Sequence, residues 1–185
     1  MAKGFTQREG IYYNETFSPV SCKDSFRIIM VLVAHDDLEL YQMDVKTAFL
    51  NGNLDENVYM AQAKGFVVEG KECMGCHLKK SIYGLKQASR QWYLKFDGTI
   101  RKFGFKENVE DNCIYAKFKH GKSISLILHV DSTLLASSGV NLPLEKQFLS
   151  SSFNENGLDK ASFVPGIGTY QDKRKGVLEL SQVYT

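Results

Sequence analysis

Apolar and polar positions change period several times along the 185 residues, and each change marks an element. From 24 to 35 (DSFRIIMVLVAH) apolar residues occupy most faces of a helical wheel, which predicts a buried helix with Asp24 as its N-cap. Residues 38 to 45 (LELYQMDV) alternate imperfectly, with Leu38, Leu40, Gln42 and Asp44 on one face, and read as a strand ending at Asp44. NGNLDEN at 51 to 57 has turn composition, and VYMAQ at 58 to 62 reads as a further strand. Between Lys86 and Phe105, Ala88, Trp92, Leu94, Phe96, Ile100 and Phe103 recur at helical spacing and predict the longest helix. CIYAKFK and SISLILHV flank HGK as a hairpin, and a tight reversal at Asp131-Ser132 precedes TLLAS. A helix over 142–150 and a last hairpin turning near 172–176 (DKRKG) complete the pattern.

Charge changes the picture because it is local. Residues 77 to 106 hold eight Lys or Arg against the single acid Asp97; with +2 for the chain, the remainder stands at −5. A confined basic surface suits a polyanionic partner. It lies between two aspartates, Asp44 and Asp131, each closing a β-like run. Two strand-borne carboxylates able to meet beside a basic surface suit metal-assisted phosphoryl transfer on a nucleic acid.

With 43% hydrophobic and 12% aromatic residues, the chain is expected to bury the core of one globular domain. No apolar run reaches the roughly 18 to 20 residues of a membrane span, and no signal peptide is visible, so the expectation is a soluble intracellular protein, in cytoplasm or nucleus. Cys22, Cys73, Cys76 and Cys113 are irregularly spaced and read as reduced thiols. Cys73, Cys76 and His77 spell C-x-x-C-H; a zinc site would need two further ligands, with Cys113 and His120 available. The motif is read as an incidental turn, with neither haem nor zinc expected.

QMDVKTAFLNGNLDENVYM, CHLKKSIYGLKQASRQWYLKF, the apolar run into HVDS, and GFTQREGIYYNETFSPV at 4 to 20 together resemble the reverse transcriptase domain of copia-type long-terminal-repeat retrotransposons. The resemblance covers nearly the whole chain. It implies an α+β fold of the right-hand polymerase kind, with fingers and a ferredoxin-like palm whose antiparallel sheet packs on helices. Residues 1–185 would form a single such domain, lacking complete N-terminal fingers, thumb and RNase H. It also implies DNA synthesis from deoxynucleoside triphosphates on a primed RNA or DNA template, with magnesium, or manganese in its place.

By match to the family's motifs, Asp44 and Asp131 would be the catalytic metal ligands, assisted by the Val45 carbonyl and by whatever Ser132 offers. Lys46, Thr47 and Ala48 would bring backbone amides to the triphosphate. Phe49 would stand as a gate against the ribose 2′-hydroxyl, the alternative being plain core packing. Lys79, Lys80, Lys86, Gln87 and Arg90 would contact template and primer; without the resemblance they read as a solvated helix face.

Departures from the family pattern carry their own implication. The family's YVDD reads HVDS here, placing His129 and Ser132 where a tyrosine and a second aspartate usually stand. A neutral hydroxyl is a far weaker magnesium ligand than a carboxylate, so a rate loss of at least about a hundredfold is expected, equivalent to about 2.7 kcal/mol. His129, protonated at low pH, would add positive charge beside the metals. Ser89 replaces a usual proline, and 153–168 only faintly echoes the family. The expectation is a truncated, drifting RNA-directed DNA polymerase domain, impaired or inactive. The alternatives are a catalytically dead nucleic-acid-binding remnant and a non-functional translated fragment.

Overall fold

The computed structural model describes residues 2–119, 121–138, 142–153, 159–161, 163–164 and 167–182. His120 and much of the 153–168 segment lie outside the described residues. The chain divides into two compact units, Met1–Ser18 with Thr47–Gly98, and Pro19–Lys46 with Thr99–Thr185. Helices and antiparallel sheets in both make the protein an α+β chain.

The second unit is built on a six-stranded antiparallel sheet. Its strands are β1 (Glu39–Asp44), β4 (Lys106–Glu107), β5 (Ile114–Lys119), β6 (Lys122–His129), β7 (Ser132–Ser137) and β8 (Asp159–Lys160), ordered β4-β5-β6-β7-β1-β8. Strand alternation sends one set of side chains to each face. Leu40, Ile114, Ile127, Leu134 and Ala136 meet Ile29, Met30 and Val33 of helix α1 (Lys23–His35) in one continuous core. On the opposite face lies helix α3 (Leu142–Phe153), whose Phe148 stacks on Phe103 at 3.7 Å between centroids. Lys146 of α3 sits 3.5 Å over the Tyr41 ring. Lys117 lies 3.8 Å over Phe103 and 3.7 Å from the buried Glu145 carboxylate.

A smaller sheet joins β9 (Phe163–Val164), β10 (Ile167–Asp172) and β11 (Val177–Gln182). The β10–β11 reversal falls where DKRKG predicts it, with Gly176 at φ 62° taking the left-handed backbone that glycine tolerates best. Gln171 ties this hairpin to the main sheet by donating to the Leu38 carbonyl at 2.9 Å.

In the first unit, β2 (Tyr59–Ala61) and β3 (Gly75–His77) form a two-stranded ribbon, and helix α2 (Ala88–Lys102) begins beside it in sequence after a turn at 83–87. Val58, Leu85 and Ala88 form the core, with Leu54, Leu78, Ile82 and Phe49 packed against it. Gly52 follows a 3-10 turn (Ala48–Asn51) and touches α2: a Cβ there would lie 2.8 Å from Gln91 Cβ and 2.9 Å from the Gln91 carbonyl carbon.

Several elements depart from the expectation. Asp24 does not cap α1; the N-cap is Cys22, and Asp24 sits in the first turn paired with Arg27 at 3.2 Å. Nor is α1 buried all round, since Ile28, Val31 and Leu32 are exposed. A run of apolar residues too dense to show a period gave no means of telling its two faces apart. The long helix is shorter than 86–105 at both ends: it starts after Gln87, and Gly104 at φ 92° closes it. All four cysteines are free, with Cys113 buried. Among the described residues no helix is long and apolar enough to cross a membrane, and no group of three His, Cys, Asp or Glu is placed to hold a metal.

Candidate active site

The second unit brings Asp44, Val45, Asp131 and Ser132 together at one end of the main sheet. Antiparallel register sets Asp44 directly opposite Ser132 on β7, and Ser132 in turn opposite His129 on β6. The Val45 amide donates to the Asp131 carbonyl at 3.0 Å, clamping the two aspartate-bearing segments to each other. Asp44 is exposed, whereas Ser132 is buried.

Ser132 is more than a missing charge. Its Oγ donates to Asp44 Oδ1 at 2.9 Å, occupying part of the carboxylate that would serve as the first metal ligand. Carboxylates and a backbone carbonyl are the hard oxygen donors a divalent magnesium or manganese ion takes, so the residue chemistry fits such an ion. The set supplies two carboxylates, with a neutral hydroxyl in the third place.

The turn displaying Asp131 is strained. Val130 has φ 59°, a conformation uncommon for any residue but glycine and a true outlier for a β-branched one. With His129 and Ser132 paired across it, Val130 and Asp131 form a two-residue hairpin loop, and only the first of them has positive φ. That is the pattern of a type II′ turn, whose first central position normally holds glycine. His129 is steadied from outside the hairpin: its Nδ1 lies 3.0 Å from Ser21 Oγ, just before α1. A cavity of about 510 Å³ opens beside it, lined by Phe26, Arg27, Ile127, Leu134 and Leu180 among others. Nothing in the spacing of the sequence signalled Ser21 as a neighbour of His129, since 108 residues separate them.

Lys46 ends the Pro19–Lys46 segment of the second unit and is exposed. Thr47, Ala48 and Phe49 belong to the first unit, where Thr47 takes φ 95° ahead of the 3-10 turn and Ala48 is buried. Phe49 is half-buried, packed on the Val58 core and 4.7 Å from the Tyr83 ring centroid.

Lys86 and Arg90 are held by the N-terminal segment of the first unit, a feature the sequence did not disclose. Lys86 Nζ donates to the Tyr13 hydroxyl at 3.1 Å. Arg90 donates to the Phe17 carbonyl at 3.0 Å and pairs with Glu15 at 2.6 Å. Lys80 donates to Asn53 Oδ1 at 2.7 Å, and Lys79 is exposed. Gln87 is wholly buried. Cys73, Cys76 and His77 are exposed, with His77 stacked on Tyr59 at 4.9 Å.

A mixed helix-and-sheet chain with one aspartate ending a strand and a second in the hairpin loop beside it, and a cation-rich helix start, defines a class that comparison identifies. The chain belongs to the reverse transcriptase (RNA-dependent DNA polymerase) family, whose model matches residues 1–184. It is 44% identical over 184 residues, 98% of its length, to the retrovirus-related Pol polyprotein from transposon TNT 1-94 of Nicotiana tabacum. It is 38% identical over 143 residues, 77% of its length, to the corresponding polyprotein from transposon RE1 of Arabidopsis thaliana. More particularly, then, it is a reverse transcriptase domain of the copia-type Pol polyprotein kind. The chain spans 14% of the tobacco relative and 10% of the Arabidopsis one. No solved structure matches it significantly.

Proposed function

We propose that this chain is the fingers and palm of one right-hand polymerase domain, that the six-stranded sheet is a ferredoxin-like palm, and that its RNA-directed DNA synthesis is impaired at the metal site. The observation that carries the proposal is the Ser132 hydroxyl donating to Asp44 Oδ1 at 2.9 Å across the β1–β7 register. Asp44, Asp131 and the Val45 carbonyl would hold magnesium or manganese. When bound, the metal supplies the charge that favours in-line attack of a primer 3′ oxygen on the α-phosphate of a deoxynucleoside triphosphate.

The chain's own residues do the rest. Asp44 and Asp131 place negative charge at the end of the sheet, and the Val45–Asp131 backbone bond keeps their segments in step. Lys46, with the backbone of Thr47 and Ala48, receives the triphosphate. Phe49, half-buried on its core, excludes a ribose 2′-hydroxyl. Lys79, Lys80, Lys86 and Arg90 neutralise template and primer phosphates, an attraction that salt weakens. Ser132 subtracts from this by offering a neutral hydroxyl and by sharing an Asp44 oxygen. The expected consequence is a rate at least about a hundredfold below that of a turn with two aspartates, about 2.7 kcal/mol of barrier.

Primer extension on an RNA template with magnesium tests the proposal, using the unmodified chain, Ser132→Asp and Asp44→Ala. Ser132→Asp should extend at least about a hundredfold faster than the unmodified chain, and Asp44→Ala should abolish what extension remains. Equal rates for the unmodified chain and Asp44→Ala, with no gain from Ser132→Asp, would contradict it and favour a nucleic-acid-binding role alone.

A further inference from the structure

Gln87 has no exposed surface, so both ends of its amide must find partners inside the protein. Its Nε2 donates to the Tyr12 carbonyl at 3.0 Å. Its Oε1 accepts from Gln7 Nε2 at 3.0 Å, and Gln7 Oε1 accepts the Lys86 amide at 2.9 Å. The polarity of this relay is fixed at its two ends, because a carbonyl only accepts and a backbone amide only donates. One side chain must therefore both give and take a hydrogen bond at position 7. Glutamate there would satisfy the Lys86 amide but set oxygen against oxygen at Gln87.

The relay sits where it governs the cations. Lys86 and Gln87 immediately precede α2, and Arg90 lies in its first turn. Lys86 Nζ also reaches the Gln7 carbonyl at 3.5 Å, and Arg90 is held three residues on by Phe17 and Glu15 of the same N-terminal segment. We propose that Gln7 and Gln87 are positioning residues: their amide relay pins the N-terminal segment to the start of α2 and so aims Lys86 and Arg90 at nucleic-acid phosphates. The proposal rests on the nucleic-acid reading of those cations given above.

The test is anisotropy of a labelled RNA template–DNA primer with the full chain, over a range of salt concentrations, for the unmodified protein, Gln7→Met and Gln7→Glu. Gln7→Met keeps the shape and removes both bonds without adding charge; Gln7→Asn, a methylene short, replaces it if Gln7→Met does not fold. Misaimed cations lower the number of phosphate contacts, so Kd should rise at least about tenfold and the slope of log Kd against log salt should shrink by about 1 to 2 in every variant. Loss of folded protein alone would weaken binding with the slope unchanged, which overturns the positioning role. So would an effect confined to Gln7→Glu, which is a charge effect. Absence of salt-dependent binding by the unmodified chain overturns the nucleic-acid reading and the relay's role together.

Discussion

At the scale of single residues, Val130 and Cys113 can be measured through stability, without metal or substrate. Val130 holds φ 59° where a type II′ turn prefers glycine, and such strain costs on the order of 1–3 kcal/mol. Val130→Gly recovers that strain but raises the entropy of the unfolded chain, which offsets part of it, so denaturant unfolding should report a net gain of about 1 kcal/mol. Burial, with repulsion from Asp111 and Glu107, pushes the Cys113 thiol from its ordinary 9.0 up to about 12. Because the folded value is the higher one, the unfolded thiol ionises first. The stability this group contributes is therefore complete below pH 9 and lost as pH climbs toward 12. Tyr41 acts in the same sense, raised from 10.0 to about 12 by burial and by its hydrogen bond to Glu39. The unfolding midpoint should fall across that range, less steeply in Cys113→Val. At neutral pH a thiol reagent should label Cys22, Cys73 and Cys76 in the native protein and Cys113 only after unfolding.

At the scale of elements, legibility followed periodicity. Strand β1 ended at Asp44, the β5–β6 hairpin and the β10–β11 turn fell where alternation and turn residues put them, because a period of two is distinct over six or more residues. The exposed face of α1 was not legible, since Ile28, Val31 and Leu32 look no different in sequence from Ile29, Met30 and Val33. Nor was the pairing of Lys117 with Glu145, 28 positions apart, which links β5 to α3 at 3.7 Å. The Glu145 carboxylate is buried, and Lys117 is the cation beside it. Lys117→Met should thus destabilise the protein by about 3 kcal/mol in urea unfolding, and Lys117→Met with Glu145→Met should cost markedly less. An equal or larger loss in the double variant would mean that packing, not charge, holds α3 there.

At the scale of the whole molecule, the candidate site was half legible. Asp44, Asp131 and Ser132 stood out from local patterns, and the register brought them together. The hold of the N-terminal segment on Lys86, Gln87 and Arg90 did not, because it depends on contacts between residues more than seventy positions apart. Among the proposed phosphate contacts, Lys79 and Lys80 have no hydrogen bond to that segment among the described residues, so Lys79→Ala with Lys80→Ala should lower the salt slope of single-stranded RNA binding by about 1.4 while leaving unfolding unchanged. We propose that Ser132 weakens the hold of Asp44 and Asp131 on a divalent metal. The most direct measurement is calorimetric titration of manganese into the unmodified chain, Ser132→Asp, and Ser132→Asp with Asp44→Ala. A second carboxylate opposite Asp44 should tighten binding at least about tenfold, about 1.4 kcal/mol, and removal of Asp44 should reverse the gain. Equal affinity in the unmodified chain and Ser132→Asp would contradict the account, and would place the defect elsewhere than at Ser132.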